Sequence, residues 1–587
     1  LQQGKKFTSK TLLPAFFILV MLVSACGQGN SSNSSTTSTH TKAPDNKQVL
    51  VSVYTGYGVP DINTFDPAKA PDFNSATAIE AVFTGLVTLD VHLNIQPALA
   101  ASWAQSSDKL AWTFTLKPNL KFSDGTPLTS KDVAYSIDRA LQPSLKSTTA
   151  PYYLRYIKDA DKLNSGAIKT IIGDSLLVPD DKTIVIKTSG ITPFFLQTLT
   201  FQASYVVEKS LVDKYGTKWT DHLNEGGGSG PFKVLHYIHN KEIDLVPNAN
   251  YYGPQPQLKE LVLPFYKEDD TIRKDYLVNR LDDSTIPRAD YTQDKTRPDF
   301  YKTLTLAINY YTMNYNQKPF DNVHIRQAFA LSINKDLLAN NIWKGSYQAT
   351  NHIVPQGMPG YNPNLTGPAG VKGTAGDPAL AKQLFQQGLK EEGFSSASQL
   401  PPITLIFSSA GAQSVRDEVA ALQQMWQSTL GISVKTNDID INKLFNDQAL
   451  GANNPMQFYT GPAWIADYPD PQDWTTLQFA AGAAQNGMNY GQNKGPGAAQ
   501  QQAVQKEMDA ADTMTDPTAR LQAYNKIEQE LVNDVAWLPV EQQYTARLRK
   551  PCVQGFEINS EGFIAPDDWS KIFISTDTPC ANATVGS

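Results

Sequence analysis

Gly461-Pro462-Ala463-Trp464-Ile465-Ala466-Asp467-Tyr468-Pro469-Asp470-Pro471-Gln472-Asp473-Trp474 is the most unusual stretch of this chain. Its prolines fix φ and remove backbone donors, so it reads as a stiffened loop. Loops set on a rigid scaffold commonly carry binding residues. An aromatic face beside a carboxylate suits a ligand with a cationic head. The same residues would equally make a proline-fixed turn with Trp464 in the core, and the stretch alone does not separate the two readings.

Outward from this loop the text alternates between strand and helix patterns. Residues 49–54, 112–116, 183–187, 232–237, 403–407 and 432–435 read as strands. Residues 129–141 read as a helix with Thr129 as N-cap and Asp132 as its capping-box partner. Residues 76–86, 193–199, 323–332, 503–511 and 518–533 carry helical spacing. Residues 377–389 open on Asp377-Pro378 as N-cap and N1, and 415–430 close on Gly431. Such mixing implies α/β or α+β lobes. Gly226-Gly227-Gly228-Ser229-Gly230-Pro231 precedes a strand rather than a helix and lacks a following Gly-Lys-Ser/Thr, so it reads as a tight turn and not a phosphate loop.

At 587 residues more than one core is expected. Aromatic residues at 10% exclude a wholly disordered chain. A net charge of −7 argues against a nucleic-acid binder. There is no His-Glu-x-x-His, Cys-x-x-Cys or Gly-x-Ser-x-Gly motif, and no context supports a nucleophile. His236 and His239 would face opposite sides of a strand, a poor metal pair. The pairs Asp269-Asp270 and Asp282-Asp283 sit in polar text and are expected to be solvated. No metal, cofactor or catalytic residue is expected.

The first residues address the compartment. Lys5, Lys6 and Lys10 precede an apolar run over 12–23, then Ser24-Ala25-Cys26-Gly27. A basic start, a short apolar run and small residues form a secretory signal, too short to span a bilayer. The residues ahead of Cys26 resemble a bacterial lipobox, which implies cleavage before Cys26 and lipidation of its thiol. The alternative is an ordinary secreted protein with an incidental cysteine. Residues 27–47 are rich in Ser, Thr and Asn and read as a flexible tether. In an exported protein the remaining cysteines, Cys552 and Cys580, can pair and pin the terminal segment.

Several segments together resemble the peptide-binding members of the ABC-transporter solute-binding proteins. They are the proline-rich loop, Thr64-Phe65-Asp66-Pro67, Val82-Phe83-Thr84-Gly85-Leu86-Val87, and Lys121-Phe122-Ser123-Asp124-Gly125-Thr126-Pro127-Leu128-Thr129. Gly228-Ser229-Gly230-Pro231-Phe232, Lys318-Pro319-Phe320-Asp321 and Ile325-Arg326-Gln327-Ala328 belong with them. The resemblance implies an α/β, two-lobed periplasmic-binding-protein-like fold with an extra subdomain in the first lobe. By it, residues 1–25 are a lipoprotein signal, 26–47 the lipidated cysteine and tether, 48–309 the first lobe, 310–543 the second, and 544–587 a return to the first. The hinge would lie near 306–311 and 540–544. Asp467 would pair with a peptide α-ammonium and the Trp464 indole would pack on the ligand. Backbone groups of Ala463 and Ile465 would pair with the peptide like an added strand. Phe73 would add a backbone contact and Tyr544 a polar one, while Asp470 would stabilise the loop.

Ala463 stands where the family often has glycine, and Asn334-Lys335-Asp336 departs mildly from its pattern. The implied partners are a peptide, permease and ATPase subunits, and the membrane through the lipid anchor. A monomer is expected on the outer face of the cytoplasmic membrane or in the periplasmic space. An oligosaccharide, opine or metal chelate as ligand, and a peptide-sensing role without transport, stay open at this point.

Overall fold

The computed structural model describes residues 40–53, 60–461 and 463–586, without the side chains of Asp269, Asp270 and Arg288. The readings on the signal, Cys26, the tether up to residue 39 and Tyr54 lie outside the described residues. Residues 41–587 form one compact unit. No helix among the described residues is long and apolar enough to cross a membrane.

Three sheets organise the body. The first runs in the order Val49–Val51, Glu260–Pro264, Glu242–Pro247, Phe232–Ile238, with its first pair parallel and the others antiparallel. Its core includes Phe83, Trp219, Phe232 and, from the end of the chain, Cys552, Phe556, Ile564 and Trp569. The second sheet, antiparallel throughout, is Ala100–Gln105, Ala111–Leu116, Thr183–Lys187, Leu176–Asp180. The helix Ser130–Leu141 contributes Val133, Ala134, Ile137 and Leu141 to its core. These two sheets thus carry separate cores.

The third sheet is ordered Asp283–Thr285, Leu538–Arg549, Phe300–Met313, Phe458–Tyr459, Ile403–Phe407, Val434–Asp438. Tyr347–Ala349 adds to Leu538–Arg549, and Trp464–Ile465 adds to Phe300–Met313. The two long strands run antiparallel from Phe300 opposite Leu548 to Tyr311 opposite Leu538. Tyr311, Met313, Leu538 and Val540 belong to a further core, with Phe329, Leu405 and Trp426. At their other ends Ala546 and Leu548 pack with Val53, Ile272 and Tyr276. These two strands therefore run from one core to another.

Most local expectations hold within a few residues. Thr129 and Asp132 form a capping box, Asp377 caps Pro378–Glu391, and Gly431 ends Gln413–Leu430 in the left-handed region at φ 71°. The helix expected at 76–86 instead runs Phe73–Val82, because the Asp72 carboxylate accepts from Ser75 N–H and caps it three residues earlier. The strand expected at 432–435 is Val434–Asp438. Asp282 and Asp283 are not solvated but fully buried. Asp283 accepts from Arg547 Nε at 2.8 Å and Arg549 Nε at 3.0 Å, and Asp282 from the N–H groups of Val51 and Ala581. Those partners lie far away in sequence, so the polar local text is no guide to exposure.

Cys552 and Cys580 form a disulfide. It ties the tail down beside Asp282, which lies close to both sulfurs.

Candidate ligand-binding site

The proline-rich loop is held on the long strand Phe300–Met313. Trp464–Ile465 pairs antiparallel with the long strand, Ile465 opposite Ala307 and Trp464 opposite Ile308. Ala466 N–H donates to Leu306 O at 2.8 Å. Antiparallel pairs alternate between hydrogen-bonded and non-hydrogen-bonded. Since Ala466 opposite Leu306 is bonded, the N–H and C=O of Ile465 point away from the strand, and those of Ala463 follow the same alternation. No other strand pairs with this segment among the described residues. Its outer edge is therefore open to an added strand.

Beyond that edge the loop is fixed from within. Asp467 N–H donates to Asp473 Oδ2 at 3.2 Å, and the Trp464 indole N–H reaches the same oxygen at 3.4 Å. Asp470 takes both terminal nitrogens of Arg520, each at 2.7 Å, and caps the short helix Pro471–Asp473 by accepting from Gln472 N–H. Asp470 thus stabilises the loop. Tyr468 packs between Tyr153 and Phe194 of the first lobe, stacked on the Phe194 ring at 6.3 Å between centroids.

A cavity of about 160 Å3 opens beside Ile465, Ala466 and Asp467. Its opposite walls come from the start of the Phe73–Val82 helix, from Tyr153 and Tyr205, and from the turn 559–565. That turn is built on Asn559, whose Oδ1 accepts from the N–H groups of Glu561 and Phe563. Leu306 N–H donates to Ser560 O at 2.9 Å. One residue of the crossing strand therefore holds both the Asp467 loop and the Glu561 turn. Phe73 packs on Phe563 at 5.2 Å, and a Cβ on Gly562 would meet the Phe73 ring at 2.8 Å.

Four carboxylates line this cavity, Asp72, Glu80, Asp467 and Glu561, and no Lys, Arg or His lines it; Asp72 is already engaged by Ser75 and Asn63. Asp467 Oδ2 and Glu561 Oε1 have no hydrogen-bond partner. Burial raises the Asp467 carboxyl well above the usual carboxylate range, although the Tyr153 hydroxyl is within hydrogen-bonding reach. Asp473 behind it is raised by burial and by the charge of Asp467. Burial pushes Glu80 up to about 8 even though the Tyr205 hydroxyl donates to it at 2.5 Å. Burial, then the charges of Glu80 and Asp467, push Glu561 up to about 8. A cavity so built favours a cation and disfavours an anion.

Residues 94–486 match the family model described as bacterial extracellular solute-binding proteins, family 5 middle. The chain belongs to that family. It is 25% identical over 546 residues to the oligopeptide-binding protein OppA of Bacillus subtilis, covering 91% of this chain and 94% of that one. Among solved structures it resembles the unliganded open form of the murein tripeptide-binding protein MppA, at TM-score 0.73 and 24% identity, over 92% of this chain and 99% of that one. MppA is an Escherichia coli protein. It also resembles Haemophilus influenzae OppA in complex with RPPGFSPFR, at TM-score 0.69 and 22% identity, over 91% of this chain and 100% of that one. The likenesses establish the two-lobed fold.

In this solute-binding protein the residues singled out from sequence separate into two groups. Asp467, Ile465 and Phe73 line one cavity. Phe73 opens its helix, so its N–H has no intrahelical acceptor. Ala463 lies on the same open edge as Ile465. Trp464 does not line the cavity; its indole packs on the core around Leu306 and Ile308 and braces Asp473. Tyr544 is elsewhere, its hydroxyl donating to Gln348 at 2.7 Å and its ring under Lys302 Nζ. Glu80, Tyr153, Asp473 and Glu561 were not anticipated. Glu80 carries a local signal, a lone acid in the apolar run Ala78-Ile79-Glu80-Ala81-Val82-Phe83. Glu561 carries none, because only the fold brings the end of the chain back to the cavity.

Proposed function

We propose that this chain is the peptide-capturing component of an ABC importer. It holds peptides by their free N-terminus between two lobes and passes them to the permease, with no catalytic step. The observation that carries this is Asp467: a carboxylate with an unpartnered oxygen, facing a cavity free of basic side chains, beside an open strand edge. An α-ammonium would take that oxygen, and the peptide main chain would pair with Ala463 and Ile465, which reads backbone and tolerates varied side chains. Relatives named as oligopeptide- and dipeptide-binding proteins support the ligand class. The lobes that close are residues 48–309 with 544–587, and 310–543, and the long strands at 306–311 and 540–544 are the hinge. Lipidation at Cys26 would hold the body at the outer face of the membrane through the 26–47 tether.

Calorimetry with a free and an N-acetylated tripeptide tests the ammonium site. The free peptide should bind and the acetylated one should lose most of its affinity. Asp467→Ala should cost the free peptide about 3–5 kcal/mol. Equal affinity for both peptides in the unmodified protein would refute the role of Asp467. For the anchor, Cys26→Ser should move the protein from the membrane fraction to the soluble fraction on cell fractionation.

A further inference from the structure

Several buried acids of this fold face cations or backbone donors. Asp283 faces Arg547 and Arg549, Asp470 faces Arg520, Asp294 faces Arg273, and Glu528 accepts two backbone N–H groups. The cavity is different. Glu80 and Glu561 are 8% and 5% exposed, line the same space as Asp467, and have no cationic neighbour among the residues lining it. Glu561 Oε1 is unpartnered, and Glu80 has its one bond from Tyr205. The α-ammonium of a peptide supplies one positive charge, which Asp467 takes. Two buried carboxyls are left over, and ionising them with no cation beside them is costly.

We propose that the cavity selects peptides with a second cation close to the N-terminus, a lysine, ornithine or arginine side chain at the first or second residue, and that Glu80 and Glu561 hold it. The inference rests on the peptide reading above and narrows it. An ammonium offers three donors and a guanidinium five, enough to span two carboxylates at once. The Glu561 turn and the Asp467 loop hang from the same residue, Leu306, so the second cation would bind next to the first. Burial pushes both glutamates up to about 8, and a neighbouring cation would draw them back down.

Calorimetry on the intact chain at neutral pH with Lys-Ala-Ala, Ala-Lys-Ala and their norleucine counterparts tests this, since norleucine keeps the alkyl chain and removes the charge. At least one lysyl peptide should bind about tenfold or more tighter than its counterpart. That ratio should fall toward one in Glu561→Gln and Glu80→Gln. Lysyl and norleucyl peptides of equal affinity would overturn this inference and leave the peptide reading standing, in a comparison that needs no variant. Preference that survives both glutamine variants would overturn the assignment to Glu80 and Glu561. Failure of all four peptides to bind would overturn the peptide reading and this inference with it.

Discussion

Glu561 and Glu80 are acids that burial keeps partly neutral, and that sets a sign for the effect of pH. Burial moves each from an ordinary value near 4.5 up to about 8. Between those values the folded state binds protons that the unfolded chain has released, so their contribution to stability falls as pH rises. The ligand-free protein should therefore lose melting temperature from pH 5.5 to 8.5. The loss should be smaller in Glu561→Gln, whose amide does not titrate, and the difference between the two slopes belongs to Glu561. A cationic ligand needs the ionised carboxylates, so its affinity should move the opposite way and rise with pH over the same window. Titrations at neutral pH in buffers of different ionisation enthalpy should register protons released on binding. Slopes that are parallel in the unmodified chain and in Glu561→Gln would show that this carboxyl does not titrate there.

Elements are readable from sequence where their ends carry their own chemistry. Thr129 with Asp132, Asp377 with Pro378, and Gly431 each mark a boundary through a contact made within a few residues. The helix Phe73–Val82 shows why others are not. Its C-terminal end is met by the glycine-rich turn, in which Gly230 N–H donates to Val82 O at 2.8 Å. A Cβ on Gly228 would lie 2.3 Å from Val82 O. The turn thus reads from sequence as a turn, but its use as the stop for a helix over a hundred residues earlier does not. The candidate site divides in the same way. Asp467 and its loop stand out by composition, whereas Tyr153 and Glu561 join it only through tertiary contacts. Gly228→Ala puts new atoms against backbone that cannot rotate aside, and overpacking of this kind costs about 1–3 kcal/mol. The shift would displace the helix that carries both Phe73 and Glu80. Denaturant unfolding should show the loss of stability, and calorimetry should show weaker peptide binding by a variant whose substitution lies outside the cavity.

On the scale of the whole molecule the cavity depends on the return of the chain's end. The first lobe's core takes Phe556, Ile564 and Trp569 from the C-terminal segment, and the cavity takes Asn559, Glu561 and Phe563. The disulfide between Cys552 and Cys580, 28 residues apart, encloses all of them. Closing a loop of that length removes freedom from the unfolded chain worth about 3–4 kcal/mol. The bond also restricts the turn that hangs from Leu306, because both of its cysteines pack in the same core. Replacing both cysteines by alanine should lower unfolding free energy by about 3 kcal/mol. If the bond serves the cavity as well as the fold, that variant should also bind peptide more weakly at temperatures where it remains folded. A lysyl peptide should suffer more than its norleucyl counterpart, since Glu561 lies inside the released loop and Asp467 does not. Reduction of the unmodified chain should reproduce both effects, and a stability loss with unchanged relative affinities would confine the disulfide to holding the lobe together.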